Sequence, residues 1–375
     1  MMELERFLQK KGLEYAPFDP QRAPRLLKTF SDLQPIKCQI IHVVGTNGKG
    51  SVGRFLSLLL HQRGFKVGHF TSPHLLHLNE RFWLNGKSVS KEILEEAFCK
   101  FGEESLQEAS YFEVLTFLAL DVFKDCQYLV CEAGLGGEFD STSTCTNPVL
   151  TLFTTIGLDH QNMLGDSLEA IARTKLNTMC KKAILGFQNY PIVEEIAREI
   201  AYSKNTFLEI LEPKDIMQCI KAYCKKNAYP KYQEKNLALA YRAFRALGFD
   251  GLDLPMLDLE GRMQQFYANV WLDVAHNIEG AKAILEHFNK DKYILVYNSY
   301  EDKEVKEILQ ILKPIIQRVE ILELNHPRVI KKKKLEGILH DLKISYKDFS
   351  NLEDDKKYLV CGSFSVVGEF LRRFR

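Results

Sequence analysis

The residues Gly45-Thr46-Asn47-Gly48-Lys49-Gly50-Ser51 bring together three glycines, a cation and a hydroxyl. Glycines let a backbone approach an anion with no Cβ in the way, a lysine adds a point charge, and a serine hydroxyl can bond a phosphate or a Mg²⁺ ion. The β-rich apolar run Gln39–Val44 precedes this loop and the apolar-periodic run Val52–Leu60 follows it. A glycine loop between a strand and a helix offers the first N–H groups of that helix, which have no partner within it, to whatever sits there. The chemistry is that of a phosphate cradle. Gly50 separates Lys49 from Ser51, so the spacing departs from the common Walker form.

Further candidates stand where strands are expected to end. Phe65–Phe70 reads as a strand running into Thr71-Ser72-Pro73-His74, and ligands bind at the C-terminal strand ends of open α/β sheets. Ser72 and His74 are therefore site candidates, against the plainer reading of a Ser-Pro turn. The short apolar run Tyr128–Cys131 delivers Glu132 to the same edge, the usual place for a Mg²⁺ ligand facing a phosphate loop. Gly134-Leu135-Gly136-Gly137 and Asp140 follow it. The strand read over 149–156 leads through Asp159 to His160. A lone strand-end histidine is more often a packed core residue, but in the same half-domain as Glu132 and the phosphate loop it can converge on the same metal. Lys175 lies inside a helix beginning near Leu168, where taken alone it is a solvated cation. Ser110-Tyr111-Phe112-Glu113 leads an apolar helix to Phe123, and Asn236 lies in a helix over 232–247.

The elements that must position these residues exceed one domain. A chain of 375 residues suggests two, and the turn-rich stretch 248–255 is the best linker, giving domains 1–252 and 253–375. Beyond Gly261-Arg262 strands and helices alternate: strands at 270–274, 293–297, 319–324 and 358–361, helices at 278–288, 305–312, 335–342 and from there to the terminus. Such alternation means a parallel sheet. The expected fold is α/β, an N-terminal P-loop doubly wound domain followed by a smaller Rossmann-like α/β domain. Composition is that of a globular protein, with 46% hydrophobic and 26% charged residues, and the net charge of +1 gives no hint of nucleic acid or an anionic membrane. No run is long and apolar enough for a membrane span, and nine cysteines without a Cys-x-x-Cys pair fit reduced thiols. A cytoplasmic, monomeric enzyme is expected.

Eight short motifs then occur in one order. They are Gly-Thr-Asn-Gly-Lys-Gly-Ser (45–51), Thr-Ser-Pro-His-Leu (71–75) with Glu80-Arg81, Tyr-Phe-Glu (111–113), Glu-Ala-Gly-Leu-Gly-Gly (132–137), Leu-Asp-His (158–160), Gly-Arg (261–262), Asp-Val-Ala-His-Asn (273–277) and Gly-Ser-Phe (362–364). In this the chain resembles folylpolyglutamate synthase/dihydrofolate synthase, a branch of the Mur ligase superfamily. The resemblance implies that Gly48, Lys49, Gly50 and Ser51 hold ATP phosphates and that Ser72, Glu132 and His160 bind Mg²⁺. It matches Lys175 to a carbamylated lysine. Ser110, Tyr111 and Phe112, with Phe139, Asp140 and Ser141, match a dihydropteroate site. Asn236, Arg262 and Asp273 match ATP contacts, with His276 on the same second-domain loop. The implied substrates are ATP, L-glutamate and dihydropteroate or a folate, joined through an acyl phosphate, with Lys49, His160, Lys175 and Arg262 carrying the catalysis and the second domain closing on ATP. Two alternatives share part of this pattern: a ligase acting on UDP-muramoyl acceptors, and a nucleotide-binding switch without ligase activity.

Overall fold

In the computed structural model, residues 2–12, 19–30, 33, 36–159, 161–251, 253–288 and 291–375 are described. His160 and Leu252, the last residue of the first domain as read from sequence, lie outside the described residues. The chain forms two compact units. One takes in the chain up to His74, Leu78–Tyr223 and Lys235–Leu257, and the other Leu75–His77, Cys224–Glu234 and Asp258–Arg375. They part a little beyond the sequence-derived boundary because residues 253–257 still pack with the first unit, and two short internal pieces belong to the second.

The first unit is built in chain order from α1 (Glu3–Lys11), α2 (Arg22–Leu27), β1 (Gln39–Val44), α3 (Lys49–Gln62), β2 (Val67–Phe70), β3 (Phe82–Leu84), β4 (Lys87–Ser88), α4 (Lys91–Phe101), α5 (Tyr111–Val122) and β5 (Tyr128–Glu132). It continues with α6 (Ser141–Thr144), β6 (Leu150–Phe153), α7 (Gln161–Leu164), α8 (Leu168–Leu176), β7 (Lys182–Leu185), α9 (Pro191–Lys204) and β8 (Phe207–Ile210). Its sheet has the order β4-β3-β2-β5-β1-β6-β7-β8. From β2 to β8 all pairings are parallel, and β3 and β4 add an antiparallel hairpin turning at Asn85-Gly86. β1 and β5 are buried along nearly their whole length, as a central parallel strand covered on both faces must be. Register fixes the site: Val43 pairs with Glu132, Phe70 with Cys131 and Val44 with Phe153, so the loops after β1, β2, β5 and β6 leave one edge together.

Two helices, α10 (Gln218–Lys226) and α11 (Lys231–Ala246), lead to the second unit, whose elements are β9 (Arg262–Tyr267), β10 (Val270–Asp273), α12 (Ile278–Phe288), β11 (Tyr293–Tyr297), α13 (Val305–Leu312), β12 (Ile316–Ile321), α14 (Lys332–Asp341), β13 (Tyr346–Asp348), β14 (Tyr358–Cys361) and α15 (Phe364–Phe374). The order is β13-β12-β11-β14-β10-β9, parallel except for β9. β9, β13 and α10 escape the sequence reading. β9 is an edge strand in which only Met263 is buried, and all three residues of β13 are exposed, so neither carries an apolar run.

Candidate active site

Gly48 is the N-cap of α3 at φ 93°, and a Cβ there would come within 2.5 Å of Asn236 Oδ1. Gly45, at φ 154°, faces Thr154, and a Cβ would run into that hydroxyl. Both positions need a residue without a side chain, for backbone conformation and for space. The loop is pinned from β6: the N–H groups of Thr46 and Asn47 donate to the Thr155 carbonyl at 2.9 and 3.2 Å, and the Thr46 hydroxyl lies 3.0 Å from both Gly157 N and Gly157 O. Thr155 and Gly157 are the positioning residues that motif reading missed. Their only signal is place, at the end of the strand beside β1. Ser51 is buried in the first turn of α3.

Lys49 leaves that turn with Nζ 3.3 Å from the Thr46 carbonyl and 3.8 Å from Glu132 Oε1. Glu132 Oε2 accepts the Thr71 hydroxyl and, at 3.2 Å, the Ser72 N–H. One carboxylate oxygen is thus held by the β2 loop while the other faces the lysine. Thr71 is a third residue whose part sequence reading passed over. This arrangement fits a divalent cation: a buried strand-end carboxylate, fixed through one oxygen, with Ser72 alongside.

Lys175 does not follow the solvated-cation reading. It is 1% exposed, and its Nζ donates to Leu135 O at 2.6 Å and Gly45 O at 3.1 Å. Burial, and next the charge of Lys49, bring its pKa down to about 7, with Asp159 and Asp140 opposing. The helix α8 therefore delivers its lysine to the back of the phosphate loop.

The remaining candidates of this unit are placed by local structure. Asp140 caps α6: its Oδ2 accepts from Leu135 N and Gly136 N at 2.9 and 3.2 Å, and its Oδ1 from Thr142 N and the Thr142 hydroxyl at 3.0 and 2.7 Å. Ser110 caps α5 in a reciprocal pair with Glu113. Phe112 is buried and stacks on Phe70 at 5.8 Å, while Tyr111 lies under the Arg81 guanidinium at 5.6 Å. Arg81 Nε in turn donates to His74 Nδ1 at 2.9 Å. Ser141 Oγ bonds Thr116 Oγ1 at 2.7 Å, and Phe139 is half exposed on the loop. Residues 110–112 and 139–141 are thus joined through α5 and α6.

In the second unit Asp273 is buried at the end of β10. It accepts the Tyr232 hydroxyl at 2.8 Å, Met263 N at 2.9 Å and Ala275 N at 2.8 Å, and burial raises its pKa. Arg262, on β9 opposite Asp273, lies over the Phe364 ring at 4.9 Å, and His276 Nδ1 is 2.9 Å from the Val274 carbonyl. Arg262, Asp273 and His276 therefore share the C-terminal edge of β10 with Gly362-Ser363, where Ser363 caps α15.

No protein-family model matches the chain. Helicobacter pylori folylpolyglutamate synthetase is 41% identical, and its crystal structure matches with a TM-score of 0.79 over 99% of this chain and 97% of that one. Dihydrofolate synthase/folylpolyglutamate synthase of Bacillus subtilis is 28% identical over 90% of this chain and 91% of its own length. The fold is also that of Escherichia coli FolC, solved with DHPP and ADP, at 24% identity and a TM-score of 0.82 over 99% and 97% of the two chains. With 41% identity to one member and similarity over nearly the full length, the chain belongs to the folylpolyglutamate synthase/dihydrofolate synthase family of ligases.

Proposed function

We propose that this chain uses ATP to join L-glutamate to dihydropteroate, to a reduced folate or to both. The observation that carries this is the convergence of Lys49, Glu132 and Lys175 on one glycine loop at the C-terminal edge of β1 and β5. A carboxylate is a poor electrophile. In the proposed reaction an oxygen of the acceptor carboxylate attacks the γ-phosphorus of ATP and ADP leaves. The glutamate nitrogen then attacks the acyl carbon, phosphate departs, and the nitrogen gives up its proton as the amide forms.

Gly48, Gly50 and Ser51 would hold the phosphates at the N-terminus of α3, where the helix dipole and free N–H groups favour anions. Lys49 would offset the charge that grows as two anions meet. Ser72, Glu132 and His160 would hold Mg²⁺, which when bound supplies further charge neutralisation. Lys175, with its pKa brought down to about 7, offers at neutral pH a substantial share of the free amine that a carbamate requires, and as a carbamate it would turn a cation behind the loop into an anionic oxygen ligand. Asn236, Arg262, Asp273 and His276 are proposed for the ATP side, and Ser110, Tyr111, Phe112, Phe139, Asp140 and Ser141 for the pterin side. Tyr111 and Phe139 offer the accessible aromatic surface of that group, Phe112 and Asp140 its support.

The protein is read as a cytoplasmic monomer. All nine cysteines are free thiols, and no helix among the described residues is long and apolar enough to cross a membrane. A phosphate-release assay with ATP, Mg²⁺ and L-glutamate tests the function, run separately with dihydropteroate, tetrahydrofolate and a UDP-muramoyl peptide. Release with either pterin is expected. Release only with the UDP-muramoyl acceptor would make the chain a cell-wall type ligase, and no release with any acceptor would leave a nucleotide-binding switch.

A further inference from the structure

His42 lies in the middle of β1, fully buried, paired in register with Cys131 on β5 and Thr151 on β6. Its Nε2 is 3.0 Å from Thr142 Oγ1, and its Nδ1 has no hydrogen-bond partner. The direction of the first bond follows from the second residue. Thr142 Oγ1 gives its single hydrogen to Asp140 Oδ1 at 2.7 Å, so toward His42 it can only accept. The imidazole therefore carries its proton on Nε2, and Nδ1 is a bare, buried acceptor. Burial holds the ring neutral, with a pKa lowered to about 4.

A leucine would fill this position at no such cost, so the imidazole is present for the bond it donates. That bond is the first of a series. Thr142 turns toward Asp140, Asp140 accepts the N–H groups of Leu135 and Gly136, and the Leu135 carbonyl then accepts Lys175 Nζ at 2.6 Å, with Gly45 O of the phosphate loop as the other acceptor of that lysine. We infer that His42 is a positioning residue: by donating from Nε2 to Thr142 it orients the Asp140 carboxylate, which sets the Leu135 carbonyl and so the place of Lys175 behind the phosphate loop.

This inference rests on the ligase reading above and adds to it a residue that touches neither substrate nor phosphate loop. Three single variants and one double variant of the full chain test it: His42→Leu, His42→Gln, Thr142→Val and His42→Leu/Thr142→Val. Initial rates of acceptor-dependent phosphate release give kcat and the KM values for ATP and L-glutamate. Loss of the series is expected to lower kcat about tenfold, the scale on which groups supporting a site act through the residues they orient. His42→Leu and Thr142→Val should each show that fall with an unchanged KM for L-glutamate. Because both break the same series, the double variant should be no slower than either single one. His42→Gln, whose amide N–H reaches as far as Nε2, should recover most of the rate.

Multiplying losses in the double variant, a glutamine variant as slow as the leucine one, or a leucine variant as fast as wild type would each overturn the inference. Should His42→Leu fail to fold, Thr142→Val and His42→Gln decide the matter by the same comparison. A wild-type chain inactive with every acceptor overturns the ligase reading and this inference together, whereas an active wild type with indifferent variants overturns only the latter.

Discussion

Lys49 and Lys175 both bond carbonyls of the phosphate loop and meet different surroundings. Lys49 keeps access to solvent and faces Glu132, so removing its ammonium disturbs little packing. Lys49→Ala is expected to lower turnover by about 10²–10³, the scale for losing a charge aimed at a developing phosphoryl anion. Stability should move by no more than about 1 kcal/mol, and urea unfolding beside the phosphate-release assay checks both. Near wild-type turnover would remove the phosphate-loop assignment. Lys175 is enclosed, with its N–H groups on two carbonyls, so its pKa near 7 leaves a reactive amine under ordinary assay conditions. Lys175→Ala should be almost inactive, yet partly restored by acetate, which can occupy the vacated space and return the negative charge of a carbamate. Absence of rescue, together with an unmodified ammonium turned away from the metal in a high-resolution map of the wild-type chain, would count against the carbamate. For the metal, Glu132→Gln keeps the shape but not the charge. It should raise the Mg²⁺ concentration required for half-maximal rate about tenfold while leaving the L-glutamate requirement unchanged; an unaltered metal titration would exclude Glu132 as a ligand.

Elements turn several of these residues from contacts into supports. Ser110, proposed for the pterin side, also has a part in the fold, since its hydroxyl accepts Glu113 N as the cap of α5. Glu113 in turn accepts Ser110 N at 2.7 Å and pairs with buried Arg22 of α2 at 2.6 Å. Ser110→Ala should cost about 1 kcal/mol through the lost cap. Glu113→Ala should cost about 3 kcal/mol, because it removes the buried ion pair with Arg22 together with the acceptor of Ser110 N. Equilibrium urea denaturation distinguishes the two, and equal small losses would show that the Arg22 pair contributes nothing. The strand and helix pattern was legible because parallel strands covered on both faces read as apolar runs, as β1, β5, β11 and β14 do. Glu132 and the phosphate loop were legible for the same reason, since strand ends locate them. What stayed hidden has little local signature. Thr71, Thr155, Gly157 and His42 matter through partners far along the chain, between 61 and 111 residues away, and no window of sequence displays such a pairing. Lys175 shows the converse: an unremarkable helix lysine becomes a site residue only once α8 packs against the loop.

For the molecule as a whole, 50 basic residues stand against 49 acidic ones. Mild acid therefore does not begin from a large net charge, and the first response of stability to falling pH is set by buried groups. His42 and His69 are both fully buried and neutral. Desolvation lowers His42 to about 4, and desolvation followed by the charge of Arg54 lowers His69 well below its ordinary value. In the unfolded chain each imidazole takes up a proton near pH 6.5, while in the folded protein His42 does so only near 4. Between those values the unfolded state binds more protons, so stability falls as pH falls through that window and is fully present above it. For His42 alone this amounts to roughly 2 kcal/mol between pH 7 and pH 5. His42→Gln keeps a donor for Thr142 and removes the titration. The expected result is a variant with near wild-type activity at pH 7 whose unfolding free energy declines less steeply on going to pH 5, by about that amount. Urea denaturation of both proteins at pH 7, 6 and 5 measures the difference directly. Parallel pH profiles for wild type and variant would mean that His42 already titrates normally in the fold, and would place the acid response elsewhere in the chain.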